Sequence, residues 1–368
     1  MNIPNVYRKA VNGFIFPPRT FTQMLSSAFM GSLSLLSEPG RAEFIRKLDS
    51  GIINEGVISQ ATTRPFIMLS LFHDLESPLF KQYRFDAKEF LEGVAPALQN
   101  FHNVSGSLEN QYHKIRLNSL PDEVETTQTK TGENGDVAEE SKGSCNEYAI
   151  SGEDKESVLS IFRMYKGTDY FSSGMDEKEV SSILNHDWAI EAKRDPESLA
   201  AQLSRMLTCE LFQVHQISAK TAFLLQNHER KFLFREGSCC VNNVALLSAR
   251  AKICVPADRD EGESAESRHR KYQPVDYAMG DDEMEEKNAG VAAQIEVLYD
   301  VTHSFVPCQE KSKEEVEAKD SGSEALTTTI VSVATIQGWL KGGPEGELRW
   351  QLALHRPAFE FPGIQNAY

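Results

Sequence analysis

The chain has 368 residues, 40% of them apolar, with six cysteines and a formal charge of −16. That length holds one large domain or two small ones, and the acidic balance argues against a direct nucleic-acid partner. Most of the charge is local, because residues 121–160 carry −8, residues 257–290 carry −6 and residues 309–325 carry −3, leaving the remainder near +1. All three stretches are rich in Glu, Asp, Ser, Gly and Lys, a composition that buries too little apolar surface to offset ordering entropy. They read as flexible acidic insertions, which cost little because loop closure grows slowly with length.

The N-terminus has the opposite bias. No acid precedes Glu38, while Arg8, Lys9, Arg19, Arg41, Arg46 and Lys47 give a local surplus of +4 through Leu48. An acid-free, basic, Ser-containing beginning is the composition of a mitochondrial transit peptide. Within it Phe21, Met24, Leu25, Ala28, Phe29 and Leu36 recur at helical spacing, which suits either a helix lying in a membrane interface or one packed on the body of the protein. The run is broken by Thr, Gln, Ser and Gly and is too short to span a bilayer.

Residues 39–54 predict a short helix. A better one spans Asp86–Phe101, where Asp86 caps and Glu89 sits three residues on. Its stripe is Phe90, Val94, Leu98 and Phe101, and Pro96 should kink it. Short helices are expected over Val158–Tyr165 and Glu177–Leu184. A stronger one runs from Asp195 to about Leu211, lined by Leu199, Leu203, Met206, Leu207 and Leu211.

The last third reads as four antiparallel strands. In the first, Val241–Val255, Ala245, Leu247, Ala249, Ala251, Ile253 and Val255 alternate with Ser248, Arg250 and Lys252. The second, Ala293–Phe305, sets Ile295, Val297, Tyr299, Val301 and Phe305 against Gln294, Glu296, Asp300 and Thr302. The third is the β-branched run Thr327–Leu340. The fourth places Leu348, Trp350, Leu352 and Leu354 opposite Arg349, Gln351 and His355. Period-two alternation implies one buried and one wet face. The expected fold is therefore α+β: a curved four-stranded antiparallel sheet with helices over its apolar face. Cys145, Cys209, Cys239, Cys240, Cys254 and Cys308 form no C-x-x-C pair and read as reduced thiols, with no metal or cofactor motif.

The order of helices and then a curved sheet is similar to the cystatin- or NTF2-like cone folds. Phe85-Asp86-Ala87-Lys88-Glu89-Phe90-Leu91-Glu92-Gly93-Val94 resembles the helix opening the C-terminal domain of the 44-kDa peripheral subunit of the mitochondrial inner-membrane translocase. That family also includes a membrane-facing protein of the mitochondrial large ribosomal subunit. Leu199–Leu211 resembles its second helix, and Gly338-Trp339 with Arg349-Trp350-Gln351-Leu352 its closing hairpin. The likeness covers residues 85–361, with insertions at 103–155, 257–290 and 309–325, and leaves residues 1–60 as a separate basic segment.

The resemblance implies a non-enzymatic adaptor on the matrix side of the inner membrane, bound to an anionic phospholipid surface and to a translocase, chaperone or ribosome. Its membrane contacts would be Arg8, Lys9, Arg19, Phe21, Met24, Leu25, Phe29, Leu36, Arg41, Arg46 and Lys47. A pocket for a lipid chain or partner segment would be lined by Phe90, Val94, Leu203, Leu207, Val297, Tyr299, Val331, Trp339, Trp350 and Leu352. Two other classes compete: a soluble cytosolic interaction scaffold, and an NTF2-like dehydratase or isomerase working by proton transfer. For the enzyme, Tyr299 is a candidate acid and His355 a candidate base, while Asp300 and His303, three apart on one strand, face opposite sides. No H-E-x-x-H, G-x-S-x-G or phosphate-binding loop occurs.

Overall fold

A computed structural model describes residues 9–54, 64–119, 148–165, 177–225, 232–257, 272–275, 277, 279–307, 326–342 and 350–358. The mixed α+β class holds, but the antiparallel sheet has six strands rather than four. Its order is β3 (Tyr272–Val275), β2 (Cys240–Pro256), β4 (Gly290–Pro307), β5 (Leu326–Lys341) and β6 (Gln351–Pro357). The remaining strand, β1 (Phe232–Phe234), pairs with the end of β4 beyond the point where β2 departs. The two unexpected strands are short, and β3 carries Pro274, which restricts it to an edge.

β4 keeps the alternation read from its residues, and β5 pairs along it, Ile295 with Ile336, Val297 with Ala334 and Val301 with Ile330. β2 does not keep its period, because bulges fall between Asn242 and Ala245 and between Leu246 and Ser248. Asn243 takes φ 53° inside the first. Such bulges shift side chains between faces, so Leu246 rather than Ala245 lies beside Val297. β6 is bulged as well, since Leu352 pairs with Ile336 and His355 with Ala334. His355 therefore joins Leu352 on the front face, not the opposite one. Leu348 and Arg349 lie outside the described residues.

The expectation of a wet back face fails. Ser248, Gln294, Thr335 and Gln337 are all buried there. The cover is the chain's own beginning, which crosses the back of the sheet as an irregular strap. Ile15 N donates to Gln337 Oε1 at 3.0 Å, and Gln337 Nε2 donates to the Gly13 carbonyl at 2.8 Å. Arg250 Nη2 donates to the Pro17 carbonyl at 3.2 Å and to Gln294 Oε1 at 2.8 Å. Its guanidinium stands 5.1 Å over the Phe16 ring. Ile15 and Phe16 pack with Cys254, Ala292 and Trp339. Buried polar groups persist only where hydrogen bonds are supplied, and the strap supplies them. Ala10, Phe14, Ile52 and Ile53 share one core with the strands and with the helix over the front face.

Helix α1 (Phe21–Ser34) begins at Thr20, which forms a capping box with Gln23. α2 (Glu38–Asp49) is capped by Ser37, with Glu38 in its first turn and Arg46 and Lys47 in its last, as the helix dipole favours. α3 (Arg64–Leu75) was not legible as a separate element. It packs against both α1 and β2. Gly31 makes the first contact possible, because a Cβ there would lie 2.1 Å from the Leu69 carbonyl oxygen. A one-turn helix, α4 (Pro78–Gln82), follows.

α5 (Ala87–Ser119) runs 33 residues, twice the expected length, and Pro96 lies inside it without ending it. Asp86 Oδ1 caps it by accepting from Lys88 N and Glu89 N at 2.8 and 3.1 Å. The supposed insertion at 103–155 is thus helical through 119 and again in α6 (Gly152–Tyr165). α7 (Glu177–Asn185) appears as expected, and α8 (Trp188–Arg194) is new. The helix predicted from Asp195 starts instead at Ser198 and stops early, as α9 (Leu199–Met206). Leu207 leaves the helix to bridge Leu352, and Thr208 N donates to the Leu352 carbonyl at 3.0 Å. α10 (Cys209–Leu225) then starts afresh. Within 257–290, β3 and α11 (Asp281–Glu286) are ordered, because Tyr272 packs on Trp339 and Met284 on Ile253 and Val291. Most of the acidic stretch at 121–160, about half of 257–290 and all of 309–325 lie outside the described residues.

Candidate functional site

Three features combine unusual chemistry with definite geometry. The first lies between α5 and the front of the sheet. α5 approaches closely because Gly106 leaves room for Phe234, whose ring would be 2.5 Å from a Cβ there. Asn110 completes the edge of β1, since its Nδ2 donates to the Phe234 carbonyl at 2.8 Å and its Oδ1 accepts from Phe234 N at 3.0 Å. This seating sets His102, Ser105 and Glu109 of α5 against Tyr299, His303 and His355 of the sheet and His215 of α10. His102 Nε2 and Tyr299 Oη share a hydrogen bond of 2.8 Å, and Ser105 Oγ and His215 Nε2 one of 2.5 Å. The His102 ring stands 5.1 Å from His303 and 5.0 Å from His355, centre to centre. Phe101 packs against His102, His215 and His355.

Burial holds these imidazoles neutral. It lowers His102 to about 2, with help from the neighbouring histidines, His355 to about 3 and His215 to about 4. His303 is lowered by the same cause. The Tyr299 phenol is raised by burial. Burial also lifts the Glu109 carboxyl to about 7, opposed by its hydrogen bond to Ser105. Yet solvent still reaches the Glu109 side chain. The exposed position of Glu109 lets solvent screen the carboxyl, so the direction of the shift rather than its size bears on the cluster. The arrangement is a chain of polar groups, Glu109 to Ser105 to His215, beside a His–Tyr pair. Among the described residues no three His, Cys, Asp or Glu are placed to hold a metal ion. Asp300 is not part of the cluster, since it faces the other way and accepts from Asn243 Nδ2 at 2.7 Å.

The sequence offered Tyr299, His303 and His355 but missed His102, Ser105, Glu109 and His215. The available signal was the spacing Leu98, His102, Ser105, Glu109, which places polar residues on the apolar face of a helix.

The second feature is an apolar groove of about 590 Å³ between the start of α5 and the β5–β6 edge. Phe90, Val94, Trp339, Trp350 and Leu352 of the expected pocket line it, joined by Phe85 and Met206. Trp350 meets Phe90 edge-on with ring centres 4.9 Å apart. The other expected lining residues do not take part. Leu203, Leu207 and Val297 are solid core, Tyr299 belongs to the histidine cluster, and Val331 sits opposite Asp300 in the β4–β5 ladder. Phe101 and Leu98 form the groove's inner wall, so the groove and the histidine cluster are separated by the Phe101 ring.

The third feature is the outer face of α1. Phe21 is 71%, Phe29 61% and Leu36 77% exposed, and Leu25 and Leu33 are also exposed. They form one stripe, while Ala28 and Gly31 face inward and Met24 is half-buried. Ile45 and Phe66 are exposed on α2 and α3. The cations expected beside this stripe are largely engaged. Arg19 is paired with Asp74 and Ser27 in the interior, and Lys47 with Glu43 and Glu76, 3.2 Å from each. Lys9 bonds Asp154 at 2.6 Å, and Arg46 bonds Glu43 at 2.6 Å, which draws the Glu43 carboxyl down to about 2. Arg41 donates to the Leu35 and Leu36 carbonyls. Arg8 lies outside the described residues. Among the described residues no helix is long and apolar enough to cross a membrane. Cys209, Cys239, Cys240 and Cys254 are free thiols.

No family model, curated protein or solved structure matches the chain.

Proposed function

We propose that this protein is a non-enzymatic adaptor attached peripherally to a membrane, presenting its α+β body to a protein partner. The observation that carries this reading is the exposed apolar stripe of α1. A contiguous apolar strip on a surface helix marks a membrane or protein contact, and an interfacial helix buries such a face at the headgroup boundary. Burying one Phe or Leu side chain gains about 1.5–3 kcal/mol. Several together offset the cost of association and give reversible attachment. The resemblance of residues 85–361 to the translocase-subunit family supports the matrix side of the inner mitochondrial membrane as the address. It also supports an import component or ribosome as the partner. The aromatic groove, with its Trp350–Phe90 wall, is of a size to take a lipid chain or an apolar partner segment.

The test is flotation of the full chain with unsaturated phosphatidylcholine vesicles. The wild type should float, and the Phe21→Asp, Phe29→Asp double variant should stay at the bottom. Both positions are surface residues, so the variant should keep a native circular dichroism spectrum. A wild-type chain that floats with no vesicle of any composition would remove this reading.

The histidine cluster favours a second reading, an acid–base enzyme of the NTF2-like cone type. Here Glu109, whose side chain is exposed, and His215 would exchange a proton through Ser105. Its decisive observation would be a turnover that His215→Gln abolishes while the thermal midpoint is unchanged.

A further inference from the structure

We propose that the α1 surface docks on loosely packed lipid headgroups without electrostatic selection, so that attachment senses packing defects and curvature rather than negative charge. This rests on the membrane reading above and specifies which lipid surface it takes.

Three observations converge. First, α1 contains no Asp, Glu, Lys or Arg, and residues 21–49 together carry three acids and three bases. The local field is close to neutral, because the chain's net charge of −16 resides in the three acidic stretches at 121–160, 257–290 and 309–325. Second, the cations that composition placed here already have partners inside the protein. Arg19 and Lys47 are buried in ion pairs, and Arg46 and Lys9 bond carboxylates. Arg41 remains exposed, but it lies across the C-terminal carbonyls of α1.

Third, hydroxyls flanking the stripe are satisfied within the helix or its cap. Ser32 Oγ donates to the Phe29 carbonyl at 2.7 Å, Ser34 Oγ to the Met30 carbonyl at 3.1 Å, and Thr22 shares a 3.0 Å bond with Thr20. A protein interface uses a polar rim whose donors reach across to the partner. A face lowered among acyl chains must instead satisfy its polar groups internally. The α1 face has the second property. Its packing on α3 at Gly31 and Leu69 holds the helix against the body, so the helix carries the body with it to the surface.

With neither attraction nor repulsion of its own, the face binds only as far as Phe21, Leu25, Phe29, Leu33 and Leu36 enter the hydrocarbon. Room for them exists where headgroups are splayed apart. The ligand is therefore a neutral, unsaturated or highly curved bilayer.

The test uses the full chain and four vesicle preparations: unsaturated phosphatidylcholine alone or with phosphatidylserine, each at about 30 nm and about 200 nm diameter. Apparent affinity should be at least about fivefold higher on the small vesicles, and should differ by less than about twofold between neutral and anionic lipid of equal size. A tenfold rise in salt should release less than about half of the bound protein, since screening has little to act on. Phe29→Asp should abolish binding on every preparation, and Arg41→Gln should leave it unchanged.

Binding confined to the anionic vesicles, or reversed by salt, overturns the inference and leaves the membrane reading standing. Equal affinity on small and large vesicles overturns it as well. A concentration-dependent dimer disrupted by Phe29→Asp, with no vesicle binding, overturns both and assigns the stripe to a second copy.

Discussion

Acidification should destabilise this protein progressively below about pH 6.5. The unfolded chain takes up a proton on each histidine near the ordinary value of 6.5, whereas folded His102, His355 and His215 resist protonation down to about 2, 3 and 4. Folded values that are depressed mean that the unfolded state binds more protons as pH falls. The stability from keeping these rings neutral is complete above 6.5 and is lost progressively below it. At about pH 5 each ring costs about 2 kcal/mol, and the three together about 4–6 kcal/mol once their mutual coupling is allowed for. That is comparable with the total stability of an ordinary domain. Glu109 acts in the opposite direction. Its raised carboxyl stabilises the fold at low pH and loses that contribution as pH rises through about 7. One carboxyl does not outweigh three imidazoles. Urea midpoints taken across this range should fall steeply toward acid, and His355→Phe, which fills the same aromatic site, should flatten the slope by about a third. A midpoint that stays constant from neutral pH to about 5 would refute the buried neutral cluster.

Trp188→Ala should leave little folded protein. The side chain is wholly buried, stacked on Tyr112 with ring centres 5.7 Å apart, and edge-on to Phe212 at 6.3 Å. It therefore joins α5, α8 and α10, and truncation to Ala at such a site costs about 3–5 kcal/mol. Trp188→Phe should be tolerated far better than its lost volume suggests. The indole Nε1–H is buried without a hydrogen-bond partner, and an unsatisfied buried donor costs about 1–3 kcal/mol. Phe removes that penalty and keeps most of the ring contact. Denaturant midpoints of the two variants measure the difference, and equal losses would mean that the indole nitrogen has a partner after all.

Where alternation governed the backbone, the fold was legible in the residues. β4 appears with its faces as read, because the adjacent long strand β5 fixes its register through their side chains. The bulges in β2 and β6 were not legible, since nothing in Asn243 or Ala353 announces an extra residue. They moved Ala245 and His355 to faces opposite those expected. The dry back face was missed for a different reason. Ser248, Gln294 and Gln337 look like surface residues until a strap from more than 200 positions away supplies their cover.

The periodicity of α1 was visible, but its orientation was not. Burial favours large apolar side chains on average, yet here Ala28 and Gly31 face inward because close approach to α3 requires small residues, and Phe21 and Phe29 are left outside. The histidine cluster was half legible. Tyr299 and His303 stand on a recognisable strand face, whereas His355 reaches it only through the β6 bulge, and His102 and His215 come from helices whose mutual placement depends on where Leu207 interrupts the chain.

The strap across the back of the sheet also dictates an order of events during synthesis. Ile15 leaves the ribosome well before its partner Gln337, which follows 322 positions later. At a translation rate of about 5–20 residues per second, the two are separated by roughly 15–65 s. Throughout that interval Phe14, Ile15 and Phe16 have been made but their seat has not. The late-translated strand β5 thus completes the environment of the earlier strap. The nascent chain is most open to wrong association through the apolar residues that, once the sheet closes, are among its best protected.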